Sequence, residues 1–75
     1  MQQSNPVQRA IKLPEVADRV ALSPSAIYAA VKSGNFPKPI KLTTAKHSSA
    51  WLESEINEFL EARVKQRDAI ETDNV

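Results

Sequence analysis

Leu22-Ser23-Pro24-Ser25-Ala26-Ile27-Tyr28-Ala29-Ala30-Val31-Lys32-Ser33-Gly34 carries both ends of a short helix in its own letters. The Ser23 hydroxyl can accept from the first orphan N–H groups, and Pro24 suits the first helical position because it has no N–H to lose. Gly34, the only glycine in the chain, stands where a left-handed residue ends a helix. Ile27, Ala30 and Val31 form the inward stripe, which leaves Ser25, Tyr28, Ala29 and Lys32 outward or sideways. Just upstream, Leu13-Pro14-Glu15-Val16-Ala17-Asp18-Arg19-Val20 is a second helix opened by Pro14. Its Leu13, Val16, Ala17 and Val20 recur as one apolar row. Leu22 is expected to fill the gap between the two. Brief helices joined by about two residues make a helix-turn-helix, whose second helix commonly enters the major groove of DNA.

Beyond Gly34 the pattern changes. Phe36-Pro37-Lys38-Pro39 cannot be helical, because each proline biases its predecessor toward extended backbone. Ile40-Lys41-Leu42 alternates as a short strand, Thr43-Thr44-Ala45-Lys46-His47-Ser48 suits a hairpin loop, and Ser49-Ala50-Trp51 is the return strand. A hairpin this short must pack on helices, with Phe36 and Trp51 as the packing groups. The last element is a helix from Glu53 or Ser54 to about Asp68. Its inward row is Ile56, Phe59, Leu60, Ala62 and Val64, its first turns are acidic, and Glu61 and Lys65 are spaced as an i, i+4 pair. The fold class is therefore mainly α with a small two-stranded β-hairpin, a minimal winged helix-turn-helix of order α-α-β-β-α. Residues 1–10 are expected to be a flexible arm, 11–68 the winged helix-turn-helix domain, and 69–75 a flexible acidic tail.

Composition narrows the function classes. Seventy-five residues make one small domain with a marginal core. The absence of cysteine removes disulfides, thiolate metal sites and cysteine nucleophiles, and His47, the one histidine, has no metal-binding partner. The serines have no placed histidine base, and the glutamates follow helical spacing on a surface too small for a cleft, so no enzyme and no cofactor are expected. No apolar run is long enough to span a membrane and no secretory signal is present, so a cytoplasmic location without membrane contact is expected. The net charge of +1 conceals an asymmetry. Residues 1–51 carry +5 and residues 52–75 carry −4, a division that could orient the molecule on a polyanion, basic side inward.

Leu13-Pro14-Glu15-Val16, Leu22-Ser23-Pro24-Ser25-Ala26-Ile27-Tyr28, the run Lys32 to Leu42, and Trp51-Leu52-Glu53-Ser54-Glu55-Ile56 together resemble the AlpA family. These are small phage and prophage regulators related to excisionases and to MerR-type domains, and the resemblance covers about Ile11 to Arg67. It implies a sequence-specific DNA-binding transcriptional regulator acting on an integrase gene. Alternatively, it implies an excisionase-like directionality factor that bends attachment-site DNA. Double-stranded DNA is the implied partner, with integrase or RNA polymerase as a protein partner, and the protein is read as a monomer or a weak DNA-dependent oligomer. The family usually has a glycine in the inter-helix turn and a basic residue after the tyrosine, where this chain has Ala21 and Ala29. The loop before Trp51 also lacks the family's glycines. A protein-interaction module built on the last helix is the reading from a different class.

The residues expected to meet DNA lie on the second helix and the wing. Tyr28 can give its hydroxyl to a phosphate or simply cover the helix–helix edge. Ser23 is first a cap, while Ser25 and Ala26 lie at the helix entrance, where backbone N–H groups favour a phosphate. Ala29 faces outward, and Lys32 suits either a phosphate or the helix C-terminus. On the wing, Lys38, Lys41, Thr43, Thr44, Lys46 and His47 can follow the backbone or enter the minor groove; the alternative is ordinary solvated hairpin chemistry.

Overall fold

The computed structural model describes residues 8–74, with side chains through residue 69. In chain order the elements are β1 (Ala10–Ile11), α1 (Leu13–Val20), α2 (Pro24–Ser33), β2 (Ile40–Lys41), β3 (Ser49–Leu52) and α3 (Glu53–Asn74).

Both ends of α2 form as their residues dictate. Ser23 is extended at φ −70°, ψ 157°, and its Oγ accepts from the Ala26 N–H at 3.2 Å. Gly34 is left-handed at φ 84°, and its N–H returns to the carbonyls of Ala30 and Val31. The end of α1 has the same geometry without the glycine. Ala21 sits at φ 59°, ψ 38°, the left-handed well, and its N–H reaches the Ala17 carbonyl. A Cβ in that well costs roughly 1–2 kcal/mol, so the turn between α1 and α2 is held under local strain.

The hairpin forms with Ile40 opposite Ala50 and Lys41 opposite Ser49. A third strand joins it. Ala10 pairs with Leu52 and Ile11 with Trp51, so β3 is central in the order β1-β3-β2. The pairing continues one residue further, where the Arg9 carbonyl accepts from the Glu53 N–H at 2.7 Å. Of the expected N-terminal arm, residues 1–7 lie outside the described residues, as does Val75.

Ile11, Val16, Ile27, Phe36, Trp51 and Ile56 form the core, with Leu13, Ala17, Val20, Ala30, Val31 and Phe59 packed against it. Trp51 is wholly buried and donates its Nε1–H to the Pro37 carbonyl at 2.9 Å. Phe36 meets Phe59 edge-on with centroids 4.7 Å apart. Each such side chain contributes about 1.5–3 kcal/mol by leaving water, so a few residues carry this small core.

Four local expectations change. Leu22 is 38% exposed and does not plug the inter-helix gap, because the left-handed turn at Ala21 swings the chain outward before α2 begins. On α3 the inward row ends at Leu60. Ala62 and Val64 are exposed because the helix has by then passed the body of the domain. Glu61 and Lys65 do not pair, as befits exposed side chains for which an ion pair gains little. The helix also continues to Asn74, past the expected end at Asp68.

Candidate nucleic-acid interface

The wing is shaped by its own polar side chains. Leu42 N–H donates to the Ser48 carbonyl at 2.9 Å, closing the loop. The buried Ser48 hydroxyl lies 2.8 Å from the Thr43 carbonyl and 2.9 Å from that of Ala45. Thr43 Oγ1 accepts from the Ala45 N–H at 3.0 Å. Lys41 folds back over the loop, its Nζ 3.3 Å from the Ala45 carbonyl and 3.2 Å from that of Lys46. A loop without glycine is thus ordered by side chains that satisfy its backbone carbonyls.

On α2, Tyr28 is 48% exposed, and its ring leans on Trp51 at 6.2 Å between centroids. Ser25, Ala29 and Lys32 are exposed. Ser23 and Ala26 satisfy one another across the helix start, so the cap occupies an N–H that would otherwise be open to an anion. The wing tip approaches this helix. A groove of about 220 Å³ between them is lined by Lys12, Pro14, Tyr28, Lys46, His47 and Ser49. It brings Tyr28, Lys46 and His47 together, while Lys32, Lys38 and Thr44 are exposed outside it. Lys12 was not among the expected site residues. Its Nζ donates to the His47 carbonyl at 3.2 Å. Only its position, a cation immediately before Leu13-Pro14, hinted at this; its partner lies 35 residues away.

The cations divide by type. Arg9 and Arg19 are engaged by carboxylates of the fold. Arg19 pairs with Glu53 and, at 2.9 Å, with Glu15; Arg9 reaches Glu53 at 3.1 Å and Glu15 at 3.9 Å. This cluster ties the residue before β1 to α1 and to the start of α3. Glu53, chiefly by hydrogen bonding, holds the Arg19 guanidinium above its ordinary value against the opposing effect of desolvation. By contrast, Lys12, Lys32, Lys38, Lys41 and Lys46 have no carboxylate partner among the described residues. The positive field on the helix-turn-helix and wing therefore comes from lysine. Lysine is a compact point charge suited to phosphate, whereas the planar fork that reads guanine is engaged elsewhere.

A family model described as prophage CP4-57 regulatory protein (AlpA) matches residues 9–64. The chain belongs to the AlpA family. The match begins at Arg9, whose carbonyl accepts from the Glu53 N–H. This AlpA-family protein is also 33% identical over 60 residues to the uncharacterized protein ORF88 of Enterobacteria phage P4, covering 80% of this chain and 66% of that protein. It thus spans just under two thirds of that relative's length. No solved structure matches the chain. Family membership points to a phage-associated regulatory protein that binds DNA. Among the described residues no helix is long and apolar enough to cross a membrane.

Proposed function

We propose that this AlpA-family protein is a transcriptional regulator that lays α2 in the major groove and grips the flanking backbone with its β2–β3 wing. One observation carries the reading. Among the described residues, the five lysines of residues 12–46 have no carboxylate partner, while Arg9 and Arg19 are both paired with Glu15 and Glu53. A surface meant only for solvent has no need of that division. About five lysine–phosphate contacts give a slope of log affinity against log salt of about −4.5. Tyr28 and Lys32 lie on the groove-facing side of α2. Specificity then depends on Ser25, Tyr28 and Ala29 together with DNA shape, or on several copies at repeated sites.

Fluorescence anisotropy of a labelled duplex from the DNA flanking the gene, titrated across salt, tests this. The double substitution Lys32→Glu and Lys46→Glu should abolish binding while the far-ultraviolet dichroism is unchanged. Binding that survives both charge reversals, or that ignores salt, sinks the reading and favours the protein-interaction module.

One feature favours a second role. Residues 61–69 of α3 are exposed beyond the domain body, a surface open to integrase or RNA polymerase. Removing the chain after Arg67 and measuring excision and promoter activity side by side separates a directionality factor from a promoter regulator.

A further inference from the structure

We propose that the groove between α1, α2 and the wing seats a single backbone phosphate, and that Lys12 is the residue joining that phosphate to the wing. The proposal rests on the DNA-binding reading and deepens it.

The lysines around the wing use their donors differently. An ammonium has three N–H groups. Lys41 directs its Nζ to two loop carbonyls, those of Ala45 and Lys46, which makes it a positioning residue for the wing. Lys12 uses one donor, on the His47 carbonyl, and keeps two at the mouth of the groove. Lys46 and His47 also line the groove, Tyr28 lines it from α2, and no carboxylate is among its described lining residues. The Tyr28 ring rests on the buried Trp51, which restricts where its hydroxyl can go, and that hydroxyl has no hydrogen-bond partner among the described residues.

Size supports the same ligand. At about 220 Å³ the groove falls below the roughly 300–1,000 Å³ of pockets that enclose small molecules. It suits a tetrahedral anion presented by something larger. Lys12 stands immediately before α1, Tyr28 is on α2, and Lys46 is in a loop tied to Lys12 by the hydrogen bond to the His47 carbonyl. A phosphate held by all three would set how the recognition helix sits relative to the strand beside it. Contacts of this kind position a protein on DNA without reading sequence.

The test compares wild type, Lys12→Met, Lys12→Arg and, as a control on exposed α3, Lys65→Met. Binding to a mixed-sequence 20-bp duplex is followed from 50 to 200 mM salt, with thermal melting to confirm folding. Loss of one phosphate contact makes the Lys12→Met slope shallower by about 0.9, so the wild-type advantage shrinks by about 3.5-fold across that range. Lys12→Arg restores the slope, and Lys65→Met leaves it unchanged. In parallel, inorganic phosphate at constant ionic strength is titrated into nitrogen-15-labelled protein. The amides of Lys12, Tyr28 and Lys46 to Ser49 should shift in wild type and stay still in Lys12→Met. Weaker binding by Lys12→Met at an unchanged slope means that Lys12 only braces the wing, and overturns the seat while DNA binding stands. Wild type that binds no duplex but keeps the Lys12-dependent phosphate shifts overturns the DNA reading and leaves an anion site. Absence of those shifts in wild type overturns the seat outright.

Discussion

Replacing Ala21 with glycine should make this protein more stable, an unusual result for a substitution that removes a side chain. Ala21 lies at φ 59°, ψ 38°, at the centre of the left-handed well, and is exposed. Its methyl group supports no core packing, so deleting it opens no cavity. An L-residue in this conformation costs roughly 1–2 kcal/mol, and glycine escapes that cost. Against this, glycine loosens the unfolded chain by about 0.4–1 kcal/mol. The difference is a net stabilisation of about 0.5–1 kcal/mol, or a rise in Tm of about 2–8 °C for a domain of this size. Gly34→Ala is the mirror experiment. Gly34 is left-handed at φ 84°, and a Cβ built there meets nothing within 4 Å, so its cost is purely conformational and of opposite sign. Urea and thermal unfolding of both variants, each alone and combined, supply the measurement. The combined variant should lie near wild type, since the two turns are independent. If Ala21→Gly leaves Tm unmoved or lowers it while Gly34→Ala destabilises, the inter-helix turn is not under the strain argued above. Duplex affinity measured well below Tm should be unaffected, because the N–H to Ala17 bond is a backbone contact that glycine keeps.

Ser23→Ala removes the hydroxyl that accepts from Ala26 and should destabilise by about 1 kcal/mol in urea unfolding. Ser23→Asp should recover most of that loss, whereas a Ser23 that acts only on DNA would leave the unfolding curve unchanged. Trp51→Phe leaves the Pro37 carbonyl without its donor and the core underfilled, at about 2 kcal/mol or more; a near-neutral result would contradict the central place given to this ring. Glu53→Gln dismantles the cluster with Arg9 and Arg19, lowering Tm by an amount that shrinks as salt is raised. The Arg19 side of that cluster has a definite sign. Its guanidinium is raised in the fold, so its contribution is fully present below the ordinary arginine value and is lost only above it. No alkaline loss of stability traceable to Arg19 should therefore occur between pH 7 and 10, and a Glu53-dependent step in that window would refute the pairing.

Much of the fold was legible because helix ends are local. The caps of α2 depend on Ser23 reaching three residues ahead and Gly34 reaching back four, distances that the sequence itself sets. The apolar row of α1 and the prolines on either side of Lys38 are equally short-range signals. The site was legible in part. Tyr28, Lys46 and His47 do converge, but Lys12 joins them from outside the expected set. Lys41, expected as a contact, also directs its Nζ to two carbonyls of the wing loop. The row on α3 was overextended past Leu60 because periodicity continues after the packing partner has ended.

By itself the sequence determined two capped helices, a proline-broken passage into a hairpin and a closing helix, since each follows from residues within about one turn of one another. Only the tertiary structure decided the rest: that Ala10 and Ile11 add a strand, that both arginines of the basic half pair with Glu15 and Glu53, and that its lysines have no carboxylate partner among the described residues. Arg9 finds Glu53 across 44 residues and Lys12 finds His47 across 35. A charge's partner depends on where the folded chain returns, and no local pattern encodes that path.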